Sequence, residues 1–142
     1  DKADRPKVVI VGEGPEREAL INEARVLEVE LELLGSLPPD KVGDHYLKAR
    51  FVVVPSRREG FGLVAAEAAM SGRAVIGSRV GGIPDVIRHG VSGLIVEPDD
   101  ISSLTHAIQI VDINWGSVAP KNVLHLGLAE HGNFLKNIYG VN

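Results

Sequence analysis

The sequence predicts an α/β fold in which a parallel β-sheet is covered by helices on both faces. Short apolar runs, such as VVIV at 8–11 and FVVV at 51–54, alternate with longer segments of helical periodicity. These runs are apolar at every position rather than at every second one, which indicates strands buried on both faces. Alternating strands and helices of this kind are typical of parallel βαβ units.

Each element follows from its local pattern. Strands are predicted at residues 7–11, 31–34, 51–54, 74–77 and 94–96. Helices are predicted at residues 16–29, 40–49, 63–70, 84–88 and from the acids at 99–100 through 110. Asp40 is expected to cap the second helix. The pattern weakens after Asp112, where a last helix is expected near residues 133–139.

Length, charge and composition limit the classes of protein to which the chain can belong. A chain of 142 residues predicts a single domain over 1–142, with its core in 7–111 and an uncertain segment at 112–142. The net charge of −4 gives no reason to expect nucleic acid or an anionic membrane as a partner. The absence of cysteine excludes disulfides and thiolate metal sites. No signal-peptide pattern is visible, and a cytoplasmic location is expected. The start DKADRPK, without Met, suggests a piece of a longer protein.

One charged residue stands out in an otherwise apolar helix. The segment LVAAEAAM, residues 63–70, has small or apolar residues at every position except Glu67. A helix without a polar face is typical of one that is packed on all sides. A buried carboxylate costs several kcal/mol unless it is paired, so Glu67 needs hydrogen-bond donors.

The loop SRREGFG before that helix predicts a binding site. Ligands of parallel α/β sheets bind beyond the carboxyl ends of the strands, where this loop leaves the strand FVVV. Gly60 and Gly62 would allow close backbone approach, and the helix N-terminus would attract an anion such as a diphosphate. A ribose offers two adjacent hydroxyls to Glu67, and Glu59 would face the group attached to the phosphates. The pattern indicates a nucleotide-sugar site.

Simpler interpretations stay open. Glu67 could point to solvent, and Glu59 could pair with Arg57 or Arg58. Gly81-Gly82 could admit a ligand or form a plain turn. The arginines at positions 57, 58, 73 and 79 could bind a diphosphate or lie on the solvated surface. The turn GEGP could suggest a dinucleotide fingerprint, but the third glycine position of that motif is Arg17.

The ordered series of motifs resembles the C-terminal domain of GT-B glycosyltransferases, specifically the large retaining group known as family 4. The resemblance covers residues 7–110 and rests on GEGP, LLGSLPPD, FVVVPS, E-GFGLVAAE-AAMSGRAVIGS and RVGGIPDVIRHGVSGLIVEPDD. It implies a Rossmann-like parallel sheet flanked by helices, the C-terminal half of a GT-B fold.

The resemblance also implies roles for individual residues. Glu67 would bind ribose hydroxyls and Glu59 hydroxyls of the transferred sugar. The backbone of Gly60, Phe61 and Gly62 would line the sugar. The remaining implied contacts are the amides of Leu63 and Val64 with the distal phosphate, the backbone of Ser36 and Leu37 with the base, and Gly12 near the nucleotide.

The reaction implied by the resemblance is transfer of a sugar from a nucleotide-diphosphate sugar, with retention of configuration. The leaving diphosphate would help to take the acceptor proton, and catalysis would rest on stabilising its charge and positioning the acceptor. No residue is assigned as a certain catalyst. Neither a cofactor nor a metal is expected.

The sequence departs from the family in lacking one strand and helix that carry an Arg and a Lys for the diphosphate. The absent strand would lie between the strands at 7–11 and 51–54, which either close up, are bridged by another chain, or fold poorly. The N-terminal acceptor-binding domain is also missing, so the piece alone is expected to bind donor weakly or not at all and to transfer nothing. A non-catalytic module and a sugar-nucleotide epimerase remain alternatives.

Overall fold

A computed structural model describes residues 6–125 of the chain. Its internal contacts divide the chain into two compact units, Asp1–Val42 and Gly43–Asn142. The single domain over residues 1–142 stays a prediction. The helix expected at residues 133–139 lies outside the described residues.

The first unit is a parallel βαβ unit. Its elements are β1 (Val8–Val11), α1 (Arg17–Val26) and β2 (Leu31–Gly35), followed by α2 (Pro39–Lys48), which begins in this unit and ends in the second. Strands β1 and β2 pair in parallel, with Val8 opposite Leu31. Helix α1 ends three residues earlier than predicted because Glu28 adopts φ 53°, a left-handed conformation that ends a helix.

The described part of the first unit holds no fully buried side chain. The valines at positions 8, 9 and 11 of β1 are each between 36% and 43% exposed, on both faces of the strand. Lys7 spans the two strands with a 2.7 Å ion pair from its Nζ to Oε2 of Glu32. The hydrogen bond to Glu32 raises the pKa of Lys7, although the pair is solvated. The prediction that residues 7–11 form a strand buried on both faces is therefore wrong for this structure.

The second unit contains the remaining elements. They are β3 (Phe51–Val54), α3 (Leu63–Met70), β4 (Ala74–Ser78), α4 (Ile83–Val86), β5 (Gly93–Val96), α5 (Ile101–Ile110), a 3₁₀ helix at Ile113–Ser117 and α6 (Ala119–His125). The strands form a parallel sheet in the order β3-β4-β5. All five residues of the central strand β4 are buried, and α3 contacts β3, β4, α4 and α6. The core of this unit lies around β4 and α3.

The predicted strands agree with the structure to within one residue at each end. Helix α5 begins after the two acids as expected, and Asp100 caps it, since its Oδ1 accepts a hydrogen bond from the Ser103 N–H at 2.9 Å. Asp40 does not cap α2 as predicted, because it lies inside the first turn of the helix. The 3₁₀ helix and α6 form where the sequence pattern weakens and no element is predicted before 133.

Strands β1 and β3 belong to separate sheets among the residues that the structure describes. The expectation that these two strands close up directly is therefore wrong. The other two possibilities, a strand from another chain or poor folding of the fragment, stay predictions.

Candidate functional site

The register of the second sheet brings three loops to one edge. Val54 lies opposite Gly77, and Ser78 lies opposite Val96, so β3, β4 and β5 end at nearly the same level. Because the strands are parallel, the loops that follow them leave from the same side of the sheet. This edge, formed by the loops at residues 55–62, 79–82 and 97–100, is called the loop edge below. Most of the predicted site residues lie on it or in α3, which follows its first loop.

Two glycines hold the first two loops of the loop edge in contact. A Cβ atom on Gly81 would lie 1.9 Å from the carbonyl oxygen of Glu59, and one on Gly82 would lie 2.6 Å from that of Phe61. The Gly82 N–H also donates a 2.9 Å hydrogen bond to the Gly60 carbonyl. Gly81-Gly82 therefore does more than reverse the chain, which was one of the two possibilities considered for it. It allows the backbone of one loop to touch the backbone of the other.

Two ion pairs tie these loops to the third loop. Arg57 Nε lies 2.6 Å from Asp99 Oδ1, and Arg79 Nε lies 2.6 Å from Glu97 Oε1. All four side chains are more than half exposed, so each pair contributes about 0–1 kcal/mol. Arg57 and Arg79 thus lie on the solvated surface, one of the two possibilities for these arginines, and each forms an ion pair there.

Helix α3 begins at the loop edge with its N-terminus uncapped by any side chain. Gly62 occupies the N-cap in the left-handed conformation, with φ 70°. The first intrahelical hydrogen bond runs from the Ala66 N–H to the Gly62 carbonyl at 2.9 Å. The N–H groups of residues 63–65 precede that bond and have no acceptor within the helix. The first turn is also open to solvent, with Leu63 47% and Val64 45% exposed, whereas residues 65, 66 and 68–70 are buried.

Glu67 is half-buried among these buried residues, and it has a partner that the sequence did not predict. The Tyr46 hydroxyl, on α2, donates a 3.2 Å hydrogen bond to Oε2 of Glu67. Tyr46 itself is only 8% exposed. The helix is thus packed as expected beyond its first turn. One of the hydrogen-bond donors that the Glu67 carboxylate was expected to need is the Tyr46 hydroxyl of the protein itself.

Glu59 has a partner within its own loop. Its Oε1 accepts a 3.0 Å hydrogen bond from the N–H of Gly60. The side chain is half-buried at the point where the two loops touch. Beside it, Phe61 is 81% exposed. The structure thus places Glu59 through Gly62 on the loop edge, directly before Leu63 at the start of α3.

The three other predicted site residues lie in the first unit. Gly12 follows β1 with φ 126°, and its N–H donates a 2.7 Å hydrogen bond to the Gly35 carbonyl at the end of β2. Ser36 and Leu37 follow Gly35 directly and are exposed and half-buried, respectively. These residues therefore follow the carboxyl ends of β1 and β2, and their contacts with a nucleotide stay a prediction.

Within residues 6–125, no three His, Asp or Glu side chains cluster closely enough to hold a metal ion. Over the same range, no helix is long and apolar enough to cross a membrane.

Arg73, one of the four arginines considered for a diphosphate, donates from its Nη2 to the Leu47 carbonyl at 2.9 Å.

Parallel strands, helices on the sheet and a glycine-rich loop edge opening on a helix N-terminus define a Rossmann-like α/β protein. The sequence profile of the family described as "Glycosyl transferases group 1" matches residues 1–111. The chain belongs to this family, which confirms the resemblance to GT-B glycosyltransferases.

Curated relatives agree with this assignment. The chain is 36% identical over 106 residues to N-acetyl-alpha-D-glucosaminyl L-malate synthase of Bacillus anthracis, which covers 74% of this chain and 28% of the relative. It is 39% identical over 103 residues to D-inositol 3-phosphate glycosyltransferase of Geodermatophilus obscurus, covering 70% of this chain and 22% of the relative. The chain thus spans less than a third of the length of either relative.

Solved structures share the fold. Sucrose-phosphate synthase from Thermosynechococcus elongatus has a TM-score of 0.70 at 28% identity, over 90% of this chain and 38% of that protein. Anabaena HepE in complex with UDP has a TM-score of 0.73 at 21% identity, over 97% of this chain and 40% of that protein. These similarities confirm the α/β fold with parallel sheets and flanking helices.

Proposed function

We propose that this chain is the donor-binding half of a glycosyltransferase that takes a sugar from a nucleotide-diphosphate sugar and transfers it with retention of configuration. The observation that carries the proposal is the half-buried Glu67 carboxylate, one turn behind the uncapped N-terminus of α3, in a chain of the group 1 family. A helix N-terminus that can bind an anion lies beside a carboxylate that can accept hydrogen bonds from hydroxyls. Together they fit a nucleoside diphosphate.

The N-terminus of α3 would hold the distal phosphate. The N–H groups of Leu63 and Val64 lie in the exposed first turn, where they and the helix dipole favour an anion. Such an interaction is worth about 0.3–1 kcal/mol at an exposed site and about 2 kcal/mol when it is partly buried. Because charge develops on the diphosphate as it leaves, the same groups would stabilise the transition state.

Glu67 and Glu59 would then bind hydroxyls on the two sides of the diphosphate. Glu67 would accept from the ribose, and Glu59, with the backbone of Gly60, Phe61 and Gly62, would contact the transferred sugar. In the first unit, Gly12, Ser36 and Leu37 would contact the nucleotide, chiefly through their backbone. The donor is a substrate, and neither a cofactor nor a metal is part of the proposal.

Catalysis by this arrangement would come from positioning and charge stabilisation rather than from a protein nucleophile. The leaving diphosphate would receive the acceptor proton while the helix N-terminus holds its charge. An acceptor-binding domain and an Arg/Lys clamp for the diphosphate would complete the enzyme. We infer that residues 1–142 alone bind donor weakly or not at all and transfer no sugar.

Saturation-transfer NMR tests the proposal, because it detects ligands bound with millimolar affinity. UDP-, GDP- and ADP-glucose are each added to the intact chain, to Glu67→Ala and to Glu23→Ala, an exposed helix carboxylate outside the site. We expect signals from one nucleotide sugar with the wild type and with Glu23→Ala, and none with Glu67→Ala, while circular dichroism shows that all three remain folded. Equal signals from Glu67→Ala would contradict the ribose assignment.

A further inference from the structure

We infer that Tyr46 is a positioning residue, which holds the Glu67 carboxylate in the one orientation that can accept ribose hydroxyls. The inference rests on the proposed function for the identity of the ligand. Its basis is the 3.2 Å hydrogen bond from the Tyr46 hydroxyl to Oε2 of Glu67.

The hydrogen bond from Tyr46 makes the two oxygens of the Glu67 carboxylate inequivalent. Among residues 6–125, the Tyr46 hydroxyl is the only hydrogen-bond donor that reaches the Glu67 side chain. A carboxylate accepts about four hydrogen bonds, two on each oxygen. With one site on Oε2 taken by Tyr46, Oε1 and the second site of Oε2 remain for a ligand. Two adjacent hydroxyls of a sugar ring match this remaining edge.

Tyr46 is suited to fix an orientation because it cannot itself move freely. Its side chain is almost entirely buried, and a ring has only two rotatable bonds before the hydroxyl. The backbone beside it is also held, since Arg73, directly before β4, donates to the Leu47 carbonyl. A glutamate has one more rotatable bond than tyrosine and would otherwise sample several rotamers. The buried ring therefore restrains the more flexible partner.

The backbone of Glu67 is held separately. Ser71 is buried, and its Oγ donates a 2.9 Å hydrogen bond to the Glu67 carbonyl. This contact supports the end of α3 without touching the carboxylate. Ser71→Ala is therefore the matched control for Tyr46→Phe: each variant removes one hydroxyl that bonds to Glu67, but only Tyr46→Phe frees its carboxylate.

The first measurement is independent of any ligand. Three-bond ¹⁵N–¹³Cγ and ¹³Cα–¹³Cδ couplings report whether the Glu67 side chain occupies one χ1 and one χ2 rotamer, the two angles that place its carboxylate. We expect one rotamer in the wild type and Ser71→Ala, and averaged couplings in Tyr46→Phe, with circular dichroism unchanged. A single, unchanged rotamer in Tyr46→Phe would overturn the inference whether or not a nucleotide binds.

The second measurement compares the affinity of the chain for UDP, GDP and ADP with its affinity for their 2′,3′-dideoxy forms. For the nucleotide that binds, Tyr46→Phe is expected to lower affinity about fivefold, as for the loss of one hydrogen bond. The loss should vanish with the dideoxy form and in the Glu67→Ala background. If Glu67→Ala weakens binding but Tyr46→Phe does not, the inference fails and the proposed function stands. If the wild type binds both forms equally, the ribose assignment fails, and the rotamer result alone decides what Tyr46 does.

Discussion

The contact between the first two loops of the loop edge makes Gly81→Ala a sharp test of the site's construction. Gly81 has φ 51°, and a left-handed conformation costs an alanine about 1–2 kcal/mol. The new methyl group would also lie 1.9 Å from the Glu59 carbonyl oxygen and 2.9 Å from that of Gly60. Overpacking of this kind adds about 1–3 kcal/mol. The expected loss in the free energy of unfolding is therefore about 2–5 kcal/mol.

Gly90→Ala separates the two contributions. Gly90 has φ 74°, but no atom lies within 4 Å of its Cβ position. This variant should therefore lose only the conformational part, about 1–2 kcal/mol. Both glycines belong to the second unit, so both variants can be followed with the same probe.

Urea denaturation followed by tryptophan fluorescence measures these losses. Trp115 is the only tryptophan of the chain and packs beside the core of the second unit. The midpoint should fall further for Gly81→Ala than for Gly90→Ala at an unchanged m-value. Equal losses in the two variants would show that the loops do not touch, and the described construction of the site would be wrong.

Two further variants test contacts that hold the second unit together. Asp100→Ala removes the cap of α5, which accepts from the Ser103 N–H, and should cost about 1 kcal/mol in the same urea assay; an unchanged midpoint would contradict the cap. His89→Ala removes the acceptor of the Ile95 N–H, whose donor–acceptor distance to Nδ1 is 3.0 Å, and should cost about 1 kcal/mol with faster amide exchange at Ile95. Unchanged exchange there would show that the imidazole is not the acceptor.

The strands were predictable from the sequence because their cause is local. A run such as FVVV is apolar at consecutive positions and ends at Pro55, so its bounds follow without any knowledge of its neighbours. The exposure of β1 was not predictable, since the same kind of run, VVIV, says what a strand prefers and not what covers it. The 3₁₀ helix and α6 were missed because glycine and proline interrupt the periodicity of INWGSVAP.

The candidate site was predictable as far as single segments define it. The loop from Glu59 to Gly62 and the start of α3 follow from one continuous stretch. Tyr46 was missed because it lies 21 residues before Glu67, and only the packing of α2 brings its hydroxyl to that carboxylate. In the structure, Gly43 and Tyr46, three residues apart, form the buried face of α2. The role of Gly81-Gly82 was left open because a glycine does not reveal which backbone approaches it.

The uneven burial of α3 places its contribution to the core and its contact with a bound molecule on different residues. Its second half supplies side chains to the interior, whereas Leu63 and Val64 in the first turn face outward. Replacements at these two positions would change what a bound molecule meets while leaving the packed half intact. Substitution at these two positions would therefore alter the surface around a ligand without changing the side chains that pack the core.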